Sequence, residues 1–379
     1  MHIINEPQLD FSDVLIKPKR STLASRKDVD LFRTLKGCHN PDVEIHNVPI
    51  MLSNMDNITT WDMVDKMIEN ACMVAMNKFV TIDEWIEKIE AESSGLFQRR
   101  LSLGSIAYTI GIRKDEHGKY IELENFLLLK NRYPKLFKHL MIDVPNGYSV
   151  AFAEFVEMVR KKCPDLFITA GNVVSAEMVQ ELILRGADCV KVGIGNGNVC
   201  KTRLQAGVGR PQLSTIIDCA DAAHANDGYI ISDGGCKNAG DVCKAFCAGA
   251  DFVMLGSMFA GHDECDGNTI TRYTLDLNNA ADANDDCGPT YQPKKFKEFW
   301  GMSSKRAMEK HYGKMENYRS SEGREVLVPY KGPVQDTIND LLGGIRSMCT
   351  YIGAKSIKNA PKCATFYLVN RQVSNMFND

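Results

Sequence analysis

Short apolar runs alternate along the chain with longer stretches whose apolar residues recur at helical spacing. Eight such runs stand at residues 49–53, 71–76, 101–104, 139–143, 166–169, 189–193, 229–233 and 251–256. Between most of them lies a helical pattern, as at 150–162, 176–185 and 213–225. Strands buried on both faces read as continuous apolar runs rather than as strict alternation. Eight βα repeats therefore predict a (β/α)8 barrel, with a doubly wound parallel sheet as the runner-up. Residues 1–379 are read as one barrel domain with an N-terminal extension. One segment breaks the rhythm: residues 275–293 are polar, with Asn278, Asn279, Asp285 and Asp286, and read as a mobile surface insertion. The tail from Gly353 to Asp379 is basic in its first part and reads as irregular.

Composition narrows the class. The chain has 44% hydrophobic and 25% charged residues and a net charge of −3, with no basic stripe to suggest nucleic acid or an anionic membrane. No cationic segment followed by an apolar run opens the sequence, and no stretch approaches the roughly 18 apolar residues of a membrane helix, so the expected location is the cytoplasm. Thirteen cysteines at irregular spacing argue against a disulfide framework in a chain long enough to bury a large core. The best zinc candidate is Cys236, Cys243 and Cys247, but no histidine pair joins them and an apolar helix face is the better reading.

Several runs end in Gly, Asp or Asn, and in a barrel the active site is assembled at the carboxyl ends of the strands. The densest segment follows the sixth run. Gly193, Gly195 and Gly197 alternate ahead of Cys200, Thr202 and Arg203, which suits a loop that approaches a ligand or wraps a cation in carbonyl oxygens. It is not a dinucleotide fingerprint, because the glycine spacing differs and no acid follows at the required distance. A cysteine on such a loop is a candidate nucleophile. Asp233, Gly234 and Gly235 follow the seventh run, and Gly256 and Ser257 follow the eighth, where barrels commonly bind phosphate through backbone N–H groups. Asp233 is placed to accept hydrogen bonds from ribose hydroxyls. Tight turns alone would use the same glycines, and a flavin mononucleotide enzyme would show the same pair.

The segment 11–18, the glycine–cysteine loop, 231–235 and 328–332 together resemble the IMP dehydrogenase/GMP reductase family, with a likeness running from about residue 8 to 354 except for 275–293. Dehydrogenases of the family usually carry a regulatory insertion of about 120 residues after the second helix, and residues 92–100 leave no room for one. The versions of 301–304, 318–323 and 344–351 found here resemble those of the reductase branch. The resemblance implies that Cys200 attacks purine C2 of GMP, that ammonia leaves through a proton relay of Thr202 and Glu322, and that NADPH reduces the thioimidate to IMP. It implies that GMP is held by Asp233, Gly234, Gly235, Gly256, Ser257, Gly301, Met302, Ser303, Arg319, Ser320, Ser321 and Gly323. It implies that NADPH contacts Ser25, Arg26, Lys78, Asp143, Val144, Pro145, Ile194, Gly195, Tyr318, Ser347, Met348, Cys349 and Thr350, with Arg26 and Lys78 as partners for the 2′-phosphate. Carbonyls of Gly195, Gly197 and Cys200, with Arg203 nearby, resemble the family's monovalent-cation loop, which takes potassium. Family members are usually homotetramers.

The chain departs from the family pattern at a few places. Asn196, Asn198 and Lys201 stand where Pro, Ser and Thr are common, Ser257 where Gly is common, and Pro145 where Ala is. The serine replaced by Asn198 is a phosphate ligand in relatives. Two rivals are an IMP dehydrogenase lacking its regulatory insertion and an inactive nucleotide-binding barrel. Against the second, the chain keeps Cys200, Thr202 and Glu322 together. A flavin-dependent barrel oxidoreductase is a third alternative, which a yellow colour would reveal.

Overall fold

In a computed structural model, which describes residues 3–91, 93–275, 291–313 and 321–369, eight parallel strands close into a barrel. In chain order they are β1 (Ile50–Leu52), β2 (Met73–Ala75), β3 (Ile106–Ile110), β4 (His139–Asp143), β5 (Phe167–Val173), β6 (Cys189–Val192), β7 (Tyr229–Asp233) and β8 (Phe252–Leu255). The last strand pairs with the first, Val253 opposite Ile50, so no edge is left open. Seven of the eight apolar runs became barrel strands. The run at 101–104 did not: Leu96–Ser102 is a helix with Phe97 and Leu101 buried four residues apart, and β3 follows it. Leu101 and Leu103 alternate with polar Ser102 as in a strand, yet Leu101 is buried at the end of the helix and Leu103 is exposed beyond it. Gly104, at φ +72°, then turns the chain into Ser105 and β3, and a Cβ there would stand 3.0 Å from Ile45.

Side chains fill the barrel interior. Met51, Met73, Ala75, Ala107, Met141, Phe167, Cys189, Ile231, Phe252 and Met254 form one buried cluster, capped below by Leu35 and Ile45 of the antiparallel hairpin Arg33–Lys36/Glu44–Asn47. The hairpin is anchored at the amino ends of the strands by the Arg33–Asp251 ion pair at 2.8 Å. With that end plugged, the barrel opens toward the carboxyl ends of its strands.

Two segments read as irregular carry order. Thr269–Leu275, Tyr291–Trp300 and Glu325–Pro329 form a three-stranded antiparallel sheet, so both ends of the supposed insertion are β-strand, with Leu275 opposite Tyr291. Residues 276–290 lie outside the described residues. The tail continues through turns at Ile357–Asn359 and Ala360–Cys363 into a strand, Phe366–Leu368, that pairs with Val14–Ile16. Ile357 and Ala360 are buried while Lys355, Lys358 and Lys362 face water. The basic residues hid the amphipathic pattern beneath them. Among the described residues no helix is long and apolar enough to cross a membrane.

Candidate active site

Between β6 and the helix Gln212–His224 the chain makes the loop that carries Cys200. Gly193, at φ +144°, lies so close to the carbonyl of Asp233 that a Cβ would approach it to 2.1 Å, so only glycine lets β6 leave the barrel beside β7. The Cys200 N–H donates to the Gly197 carbonyl at 3.0 Å, which curls the loop tip. Cys200 also pairs with Gly323, and the Lys201 N–H donates to the Glu322 carbonyl. The segment 321–324 is thus bound to the cysteine loop by backbone. It is delivered by the three-stranded sheet, since Gly301 donates to Arg324 and Gly323 donates to Ser303, each at 3.1 Å. A Cβ on Gly323 would meet the Ser304 nitrogen at 2.5 Å, so glycine is required for this closure.

Three side chains align across the junction. The Cys200 thiol donates to Thr202 Oγ1 at 3.2 Å, and the Thr202 hydroxyl donates to Glu322 Oε2 at 2.5 Å. All three are half-buried. Thiol, hydroxyl and carboxylate form a proton wire from a nucleophile to a base, although Thr202 and Glu322 lie 120 residues apart. Most other cysteines are disqualified by burial, which pushes the thiols of Cys72, Cys219 and Cys243 up to about 12. Cys243 and Cys247 are buried on the helix Ala239–Cys247, where the Cys247 thiol meets the Met348 sulfur at 3.6 Å.

Beside the loop opens a hollow lined by Ser53, Met55, Gly197, Asn198, Asp233, Gly234, Gly235, Gly256 and Ser257 among others. Gly234 and Gly235 both take φ +88° and press the strand end against the cysteine loop, within 3.3 Å of the Gly197 nitrogen for a Cβ on Gly234. The residues expected around a substrate phosphate and ribose therefore share one hollow. Gly301, Ser303 and Gly323 are tied to the segment beside the cysteine loop by the backbone bonds described above, and the Asp56 N–H donates to the Met302 sulfur at 3.3 Å; these residues, with Ser321, do not themselves line the hollow. Tyr318, Arg319 and Ser320 lie outside the described residues.

Beneath the site is a group the apolar pattern concealed. Lys191 sits in β6 with its ammonium buried between Asp143 Oδ1 at 2.7 Å and Asp233 Oδ2 at 2.9 Å. Asn54 donates to the other oxygen of Asp143 at 3.0 Å, and Asn172 donates to Asp233 at 2.8 Å. Burial alone would lower the lysine; the two carboxylates outweigh it and hold the ammonium well above its ordinary range. For Asp143 burial works upward, but Lys191 prevails and lowers the carboxyl. Asp143 is thereby spoken for by Lys191 and Asn54, and Asp233 keeps one oxygen for a ligand. The Asp143 contribution to stability is present above the ordinary carboxyl range and disappears as pH falls through its lowered native value. The Lys191 contribution is complete below its ordinary value of 10.5 and disappears as pH rises through its raised one. Both hold at neutral pH, so Lys191→Met, which strands two partly buried carboxylates, costs about 3 kcal/mol at pH 7. Urea denaturation checks this; a loss under about 1 kcal/mol would show that the triad is not structurally coupled.

A second cluster ties the roof to the barrel. His311, near the end of helix Lys305–Tyr312, bonds Asp56 at 2.6 Å and stacks on Phe79 at 3.6 Å between ring centres. The Trp300 indole donates to the same carboxylate at 3.1 Å. Burial would raise the Asp56 carboxyl, but His311 and Lys310 hold it below its ordinary value.

The residues expected around the cofactor fall into two groups. Lys78, Asp143, Val144, Pro145, Ile194 and Gly195 stand at carboxyl ends of strands, with the Lys78 ammonium within 3.4 Å of a Cβ built on Gly111. Ser25, Arg26 and 347–350 are elsewhere in the same chain. Arg346 donates to the Val29 carbonyl at 2.6 Å, and Lys19 to that of Tyr351 at 2.9 Å, beside the amino ends of the strands. Met348 and Cys349 are buried there, so their side chains do not face a ligand. On the outer side of the cysteine loop Gly195, Gly197, Cys200 and Arg203 line a more open cavity of about 1240 Å³. The Arg203 guanidinium has donors only, so the side chain does not ligate a cation; it braces the loop through Asn196 and, at 2.9 Å, the Arg210 carbonyl.

Known proteins similar to this chain fall in one family. The family model described as "IMP dehydrogenase / GMP reductase domain" matches residues 8–278 and 281–374, running through most of the stretch where the sequence likeness fails. The protein named GMP reductase from Caenorhabditis elegans is 46% identical, over 99% of this chain and 96% of its own. GMP reductase 2 from Homo sapiens is 46% identical over 100% of this chain and 99% of its own, and GMP reductase 1 from Rattus norvegicus 46% over 98% and 97%. With a closed (β/α)8 barrel, a cysteine loop after the sixth strand and a match over nearly its whole length, the chain belongs to the IMP dehydrogenase/GMP reductase family.

Proposed function

We propose that the chain is a GMP reductase, which converts GMP to IMP and ammonia at the expense of NADPH in the salvage and interconversion of purine nucleotides. The observation that carries the reading is the hydrogen-bonded series Cys200–Thr202–Glu322 beside the hollow lined by Asp233, Gly234, Gly235, Gly256 and Ser257. The thiol proton passes through Thr202 to Glu322 as sulfur bonds to purine C2. The same proton returns along the wire to the amino nitrogen, the C2–N bond breaks, and ammonia departs, leaving a thioimidate on Cys200. NADPH supplies a hydride to C2, after which the C2–S bond breaks and IMP and the thiolate are released. Overall, GMP, NADPH and two protons give IMP, NADP+ and ammonium. Asp233, steadied by Lys191 and Asn172, takes the ribose hydroxyls, and the glycine turns take the phosphate.

Two features fit NADPH at this face: Lys78 for the 2′-phosphate, and the lip formed by Ile194 and Gly195 next to Cys200. Ser25, Arg26 and the polar residues of 347–350 reach a cofactor only from another copy of the chain, in keeping with a homotetramer. The carbonyls of Gly195, Gly197 and Cys200 are the hard donors that a potassium ion takes, and no step depends on it. Free thiols on the described cysteines fit a cytoplasmic location.

The direct test mixes the protein with GMP and NADPH and follows nicotinamide absorbance together with ammonia. Loss of NADPH matched by ammonia supports the reading. Steady turnover of IMP with NADP+ in place of GMP reduction would favour the dehydrogenase lacking its insertion. NADPH is expected to outperform NADH by roughly 10- to 100-fold, the worth of a charge-assisted contact. Lys78→Ala and Arg26→Ala each erode that preference; equal use of both cofactors by the unaltered protein overturns the assignment.

A further inference from the structure

The carboxylate that ends the proton wire has no helix or strand of its own. Glu322 lies just ahead of the strand Glu325–Pro329, so its place is set by what the segment 321–324 touches. One support is the three-stranded sheet, in which Trp300 stands opposite Glu325. Another is the turn 301–304, where the Ser303 carbonyl accepts from the Gly323 N–H at 3.1 Å and the Ser304 N–H donates to the Gly301 carbonyl at 2.9 Å. Ser304 also caps the helix Lys305–Tyr312, its hydroxyl accepting from the Ala307 N–H at 3.2 Å. The helix leads about 12 Å away from the relay, at 1.5 Å per residue. Its last turn is caught between two loops of the barrel. His311 Nε2 donates to Asp56 in the loop after β1 at 2.6 Å, since a carboxylate oxygen can only accept. The imidazole lies flat on Phe79 in the loop after β2, with 3° between the ring planes, and Tyr312 meets the same ring edge-on.

Asp56 grips both ends of this segment. It is buried, its other oxygen accepts from the Trp300 indole at 3.1 Å, and its N–H donates to the Met302 sulfur at 3.3 Å. Lys310 adds an ion pair at 3.4 Å but is half in solvent, which weakens it. His311 is therefore the main hold on the far end of the helix, through one short hydrogen bond and one stacked ring. A wire of hydrogen bonds tolerates little error at its end, because misplacement by about 1 Å is enough to break a link. We infer that His311 is a positioning residue for Glu322: clasped to Asp56 and Phe79, it makes the helix Lys305–Tyr312 a strut that holds Ser303 against Gly323 and so keeps the carboxylate in line with Thr202. The inference rests on the reading of Cys200, Thr202 and Glu322 as the relay of a GMP reductase, and the test separates the two.

Two reactions tell a positioning role from a merely structural one. Steady-state GMP reduction needs the carboxylate, whereas the single burst of NADPH from IMP and NADP+ at pH 9 needs only a thiol that hydroxide can deprotonate. In His311→Ala, kcat for GMP reduction is expected to fall roughly 10-fold or more, with KM for GMP within about threefold. The alkaline burst stays within about threefold of the unaltered protein. Adding His311→Ala to Glu322→Gln brings no further loss of GMP reduction, because the group it positions is already gone. His311→Gln, which keeps a donor for Asp56 but not the ring, falls less than His311→Ala and serves where the alanine variant fails to fold. If the unaltered protein does not reduce GMP, the functional reading fails and the inference falls with it. If it reduces GMP and His311→Ala matches it within about twofold, the inference alone is overturned. The same holds if burst and deamination fall together, or if the losses at 311 and 322 simply multiply.

Discussion

Cys200→Ala abolishes GMP reduction, by a factor on the order of 10⁴ or more, while GMP affinity changes by no more than a few fold. The asymmetry follows from where the contacts are. The hollow that takes the nucleotide is built on Ser53, Asp233, Gly234, Gly235, Gly256 and Ser257, none of which depends on the sulfur. Among the described residues the sulfur has one hydrogen bond, to Thr202, and Cys200 is held by backbone bonds to Gly197 and Gly323 that alanine retains. Removing the nucleophile of a unit that acts together typically costs nearly as much as removing the whole unit. Steady-state assays with calorimetric titration of GMP check both halves of the expectation. Residual turnover above about 1% would overturn the covalent route. A large loss of affinity would instead make Cys200 a binding residue. Because the thiol is half-buried in a loop and packs against no core side chain among those described, thermal stability should be nearly unchanged.

Seven of the eight barrel strands were legible because they are buried on both faces and read as continuous apolar runs at βα spacing. The misreading at 101–104 shows the limit: Phe97 and Leu101 point to one side of a short helix, and the true strand begins beyond Gly104. The cysteine loop was legible from composition, since Gly193 and Gly195 stand where side chains do not fit. Lys191 was not singled out, because a lysine inside an apolar run looks like one residue in a strand. The available signal was its combination with acids ending two other runs, Asp143 and Asp233, which only the closed barrel brings to one ammonium. The His311 stack on Phe79 had no signal at all, being a meeting of two surface-like residues 232 positions apart whose partner, Asp56, lies in a third loop. Thr202 and Glu322 were identified through family likeness, and the hydrogen-bonded series explains physically why they belong together.

That series makes Glu322 the residue whose replacement should separate the two halves of the reaction. Glu322 Oε2 accepts from Thr202, which in turn accepts from the thiol, so the carboxylate serves twice: it takes the thiol proton and later returns it to the departing nitrogen. Glutamine keeps the shape and an acceptor but neither takes nor returns a proton. GMP reduction in Glu322→Gln should therefore fall by roughly 100- to 10,000-fold at every pH, the usual worth of a general acid–base group. The reverse half-reaction from IMP and NADP+ forms the Cys200 adduct and NADPH without touching ammonia, and needs only a thiolate. At pH 9 hydroxide in the solvent can take over the removal of the thiol proton from the wire. At that pH the variant should yield its single burst of NADPH within a few fold of the unaltered protein, whereas near pH 7 the burst is slowed. Rapid mixing of IMP and NADP+ across this range, beside steady-state GMP reduction, makes the comparison. If both activities fall equally at pH 9, Glu322 holds the loop in shape, as its backbone bond to Lys201 would allow, and does not carry the proton. If neither falls, the acid that expels ammonia is another group. A burst that survives in alkali while deamination does not would assign the proton to Glu322 and to the first half of the reaction.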